Sequence, residues 1–115
     1  MPNVVIEHSS NVTETKPLMD LCHNTLMESG LFQENSIKVR TISISRYLVG
    51  GKSGKTFIAT TVSVMPGRAQ EDLSKLGGQL QERMQSTAQE LGLTSAISVL
   101  VEEYPEGLYF RKNLD

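Results

Sequence analysis

A chain of 115 residues with 11 basic and 13 acidic side chains, net charge −2, has the size of one domain and can build a core without disulfide or metal support. Its single cysteine, Cys22, excludes a disulfide framework and fits a reducing, cytoplasmic setting. No apolar run reaches the ~18 residues of a membrane span, no signal-peptide pattern opens the chain, and no basic stripe interleaved with aromatics offers a nucleic-acid surface.

The expectation is a single soluble domain over residues 1–115, with neither membrane nor nucleic acid as partner. Residues 3–8 read as its first strand. Val4, Val5 and Ile6 are apolar in succession, which predicts cover on both faces. Pro2 stands directly ahead. An initiator methionine is normally removed before proline, and loss of Met1 leaves Pro2 with a free secondary amine. An ordinary α-amino group titrates near ~8, within reach of working pH. The alternative is a terminus that simply frays. His8, at the strand's end, reads as a surface residue.

A helix is predicted over residues 15–29. Pro17 suits its first turn, and Leu18, Leu21, Cys22, Thr25 and Leu26 recur on one face. Gly30 is the expected stop. Cys22 lies on the buried stripe with no base spaced to serve it, so it reads as a small core hydrophobe. His23 falls off the stripe and reads as surface. A long strand over residues 37–48 follows, and alternation puts Arg40 on the same face as Ile42 and Ile44. A cation among apolar neighbours needs a partner, either a structural carboxylate or a ligand.

Residues 49–55, VGGKSGK, form a turn between strands. They end as a phosphate loop ends, but Val49 occupies the place of its first glycine. A strand over residues 57–64 follows, not a helix. Residues 65–68 turn into a second helix over 69–91, with Leu73, Leu76, Leu80, Met84, Ala88 and Leu91 as its buried stripe. Glu71 and Asp72 complement the dipole at its start. Arg68 opposes that dipole, so it is either a solvated helix-start residue or an anion clamp. Gly92 ends the helix, and residues 95–103 form a fourth strand with Ile97, Val99 and Val101 on one face. Residues 104–107 turn, and residues 108–112 read as a short edge strand against a neighbour, with Tyr109 and Phe110 as interface packing.

The order is strand–helix–strand, repeated once. The expected architecture is α+β, a β-α-β repeat with a four-stranded sheet and two helices on one face. The other sheet face still carries apolar positions, which calls for self-association.

Several pieces, taken together, resemble the tautomerase superfamily, and most closely the 5-carboxymethyl-2-hydroxymuconate isomerase family. They are Pro2 followed by the strand VVIE, the Gly30-Leu31-Phe32 helix end, Ile37-x-x-Arg40, Gly67-Arg68 before the second helix, and Leu108-x-Phe110-Arg111-x-Asn113 at the end. The macrophage-migration-inhibitory-factor branch is similar in length, but its C-x-x-C element is missing. The resemblance implies a homotrimer with an active site near each subunit interface. It also implies a cofactor-independent isomerase whose terminal proline shuttles a proton, with Arg40 and Arg68 binding and polarising a carboxylate substrate from aromatic-compound breakdown.

The chemistry is coherent with those residues. A base that takes a proton and returns it elsewhere works best with a pKa near ambient pH. Apolar surroundings and nearby cations both lower an amine's pKa. Guanidiniums grip carboxylates through two parallel hydrogen bonds and stabilise a dienolate oxygen. No His, Cys, Asp or Glu set has metal-ligand spacing. The rival reading is a trimeric binding or regulatory protein of ferredoxin-like form, using the 50–55 hairpin tip as its ligand loop.

Overall fold

The structure, a computed structural model, describes residues 2–93 and 95–114. The expected loss of Met1 concerns a residue outside these. Four strands, β1 (Asn3–Ser9), β2 (Lys38–Ile44), β3 (Thr56–Val64) and β4 (Ser95–Glu103), form one sheet in the order β2-β1-β3-β4. Two helices, α1 (Lys16–Glu28) and α2 (Gln70–Glu90), connect the parallel pairs β1–β2 and β3–β4, while β1 and β3 run antiparallel at the centre. The α+β repeat read from the sequence is therefore the observed one.

The register explains the core. Val4 pairs with Val62 and Ile6 with Thr60, and both pairs point under the helices. Leu18, Cys22 and Leu26 descend from α1, and Leu73, Leu76, Leu80, Met84 and Ala88 from α2, at helical spacing. Together with Ile58, Val62 and Val64 they form one buried cluster. Fully burying such a side chain contributes about 1.5–3 kcal/mol each.

Three differences from the expected elements have plain causes. β2 ends at Ile44 rather than 48 because its one strand partner, β1, runs out where Ser9 meets Ile44. Residues 108–112 form no strand among the described residues of the single chain, since a strand needs a ladder and the neighbour expected to supply it is a second molecule. His8 is buried, 4% exposed, not on the surface. The two-residue period puts it in phase with Val4 and Ile6, and its Nδ1–H donates to the carbonyl of Ser9 at 2.9 Å. The hairpin tip is as expected, with Val49 and Lys52 bridging and a strand after it. Among the described residues no helix is long and apolar enough to cross a membrane.

Candidate active site

One end of the sheet gathers the start of β1, the start of β2, the end of β3 and the end of β4. Pro2, the turn at 65–68 and the tail after Glu103 all meet there. Pro2 is buried. Its carbonyl accepts the Lys38 backbone N–H at 3.2 Å, which carries the β1–β2 ladder one residue past Asn3. In that ladder Pro2 falls in phase with Val4 and Ile6, toward the helices. The apolar run behind it is what draws the terminus into the body of the protein.

Arg68 reaches the same end from the other central strand. Gly67, at φ +113°, makes a turn that side-chain-bearing residues avoid, and its N–H donates to Glu103 Oε2 at 3.3 Å. The Arg68 guanidinium then lies 4.6 Å above the centre of the Phe32 ring. Its Nη1 donates to the Met65 carbonyl at 3.3 Å and its Nη2 to the Leu31 carbonyl at 3.1 Å. These contacts offset the unfavourable position of a cation at the start of α2. Arg68 is half-buried and held by these contacts.

Phe32, Gln33, Asn35, Ser36, Arg68, Arg111 and Asn113 line a hollow of about 430 Å³ here. Ser36 directly precedes Ile37, the ladder position opposite Pro2. His23 Nε2 lies 2.9 Å from Glu34 Oε2, tying the short 3₁₀ turn Glu34–Ser36 to α1 and holding that wall in place. The single chain thus brings Pro2 and Arg68 to one end.

Arg40 is elsewhere. Its ladder partner is Val5, and the row continues through Thr61 to Leu100 on the sheet face that carries no helix. It is exposed, and among the described residues no carboxylate or other group pairs with it. The structural carboxylate considered for it is not found there.

Arg111 and Asn113 received no role from the sequence. Their placement follows from the turn after Tyr104. Tyr104 N–H bonds the Val64 carbonyl at 2.8 Å, and the Leu108 N–H closes back on Pro105 at 3.2 Å. The Tyr104 and Tyr109 rings then stack at 4.0 Å and 7°. Asn3 Nδ2 donates to both hydroxyls, at 2.6 and 3.0 Å. The tyrosine pair and the turn between its members were the readable signal that the tail returns to the site. A second hollow, about 530 Å³, lies between the 49–56 hairpin and the end of α2 at Gly92 and Leu93. Among the described residues that line it there is one cation, Lys55, and no histidine or carboxylate. Among the described residues no His, Cys, Asp and Glu group is arranged for a metal.

Comparison with known proteins bears on the family and the fold. The profile of a family described as 5-carboxymethyl-2-hydroxymuconate isomerase matches residues 2–114. The fold is similar to a 5-carboxymethyl-2-hydroxymuconate isomerase from Deinococcus radiodurans R1, with TM-score 0.84 and 20% identity over 97% of this chain and 89% of that one. A 5-carboxymethyl-2-hydroxymuconate delta-isomerase superposes with TM-score 0.83 and 14% identity, over 98% and 88% of the two chains. A fused 4-OT protein described as a symmetric trimer gives TM-score 0.77 and 16% identity, over 96% and 92%. A search of curated protein sequences gives no match.

Proposed function

The chain belongs to the 5-carboxymethyl-2-hydroxymuconate isomerase family, cofactor-independent isomerases of the tautomerase superfamily, and on that premise we propose that it moves a proton within an unsaturated 2-hydroxy or 2-oxo di- or tricarboxylate, with Pro2 as general acid and base. The observation that carries this reading is the burial of Pro2 at the sheet end where Arg68 is locked over Phe32.

In this reading the Pro2 amine, with Met1 removed, keeps the buried place of Pro2 at the sheet end that Arg68 shares, and low water and a nearby cation both favour the neutral form of an amine. Neutral, it takes a proton from the substrate's enol oxygen or allylic carbon. Protonated, it returns that proton to a carbon further along the conjugated system. Arg68 has three N–H donors left after its two carbonyl bonds. They hold a carboxylate and stabilise the negative oxygen of the dienolate. Arg40 contributes, in this reading, only where a second copy of the chain presents its helix-free sheet face to the site. The assembly proposed is a homotrimer in the cytoplasm, and aromatic-compound breakdown is the setting that supplies such substrates.

Ultraviolet monitoring of 2-hydroxymuconate ketonisation tests the proposal. The purified protein should have the mass of the chain without Met1. Pro2→Ala with a free terminus should lower kcat by about 10²–10⁴-fold, the usual contribution of a positioned acid/base. Unchanged turnover in Pro2→Ala rejects the role.

A further inference from the structure

The hollow beside Arg68 holds a second guanidinium that no described residue neutralises. Arg111 lines it and is exposed, and among the described residues it has no ion pair or hydrogen bond. None of the described lining residues is acidic, and the neutral polar groups among them are the amides of Gln33, Asn35 and Asn113 and the Ser36 hydroxyl. The nearest acidic residue in sequence, Glu34, is bound to His23 instead. Two cations facing one cavity repel each other. Leaving both without a carboxylate among the described residues fits a site whose occupant brings the missing charge.

The two arginines are also held from different directions. Arg68 is fixed by Phe32 and by the carbonyls of Leu31 and Met65. Arg111 follows Tyr109 by two residues, and Tyr109 is stacked on Tyr104 and hydrogen-bonded to Asn3. One guanidinium belongs to the entry of α2 and the other to the tail, and both line the hollow. We propose that Arg111 is the residue that reads the second carboxylate, making the hollow selective for an unsaturated chain with a carboxylate at each end. This rests on the hollow being the substrate site, but not on the role of Pro2.

The test compares two unreactive probes of the same carbon skeleton, cis,cis-muconate with two carboxylates and sorbate with one, by titration calorimetry on the full chain. The wild-type protein should bind muconate at least about 10-fold more tightly than sorbate. Arg111→Ala should lower muconate affinity by about 10–100-fold, the range of a hydrogen bond to a charged group, and leave sorbate within about 3-fold. Arg111→Lys should recover part of the loss, because charge returns without the fork. Circular dichroism and the melting temperature check that each variant folds. Equal affinity for the two probes in the wild-type protein, no binding of either, or full muconate preference in Arg111→Ala each overturns the proposal. Failure of the Pro2 reading shows separately, as unchanged 2-hydroxymuconate turnover in Pro2→Ala with muconate preference intact.

Discussion

Arg68 and Arg40 carry the same charge and were read from the sequence by the same reasoning, that a cation in an awkward place needs a use. Only for Arg68 does the chain itself supply the setting, through Phe32 and two carbonyls. Local sequence gives a side chain's face but not what waits there, and Arg40's face belongs to a surface one chain does not cover. Cys22 is the opposite case, since its helical phase alone predicted burial. It is fully enclosed, and burial pushes its thiol up to about 12. At pH ~8 almost no thiolate forms, so a disulfide-exchange reagent should react with Cys22 only after guanidinium unfolds the protein. Reaction with the native protein at the rate of a free thiol would contradict that burial.

At the scale of elements, helix and strand types were legible because periodicity is set by burial, and burial here is strong. Boundaries were less so, because β2 stops where its partner stops, a fact about pairing rather than about residues 45–48. The phase of His8 was readable from Val4 and Ile6, yet chemical type suggested surface, and phase won. The glycine pair in α2 separates two effects that sequence cannot. A Cβ at Gly78 meets nothing within 4 Å, whereas one at Gly77 comes within 3.2 Å of Val101 Cγ2 on β4. Gly78→Ala should therefore raise stability by about 0.5–1 kcal/mol in thermal or denaturant unfolding. Gly77→Ala should gain less, because Val101 has to shift. The helices are also joined by Arg83, which donates to Glu28 at 2.8 and 3.2 Å. That hydrogen bond, and then the guanidinium's charge, hold the Glu28 carboxyl below its ordinary 4.5. A depressed carboxyl contributes its stabilisation above the unfolded value and loses it as pH falls through the folded one. Melting temperature should thus fall more between about pH 5 and pH 3 in the wild-type protein than in Glu28→Gln. The pair is largely open to solvent, so the difference should be small.

For the whole molecule, the repeat and its parallel pairings were predictable from element order, because a crossover helix leaves few topologies. What covers the helix-free face was legible only as a need. Ile42 and Leu100 there are 42% and 55% exposed, and the tail adds Leu108 and Phe110 at 71% and 84%. Apolar surface of that extent calls for a partner. Light scattering should give three times the 12.7 kDa chain mass, and Leu100→Asp should shift it downward. A monomer at micromolar concentration would refute the assembly. Finally, the Asn3 amide grips Tyr104 and Tyr109 across more than a hundred residues of chain. Asn3 leaves the ribosome long before either tyrosine does. The proline end is therefore unclamped through most of translation, and its strand stays unenclosed until β3 emerges to lie beside it. Pro2 is thus open to processing on the nascent chain well before the contacts that bury it exist.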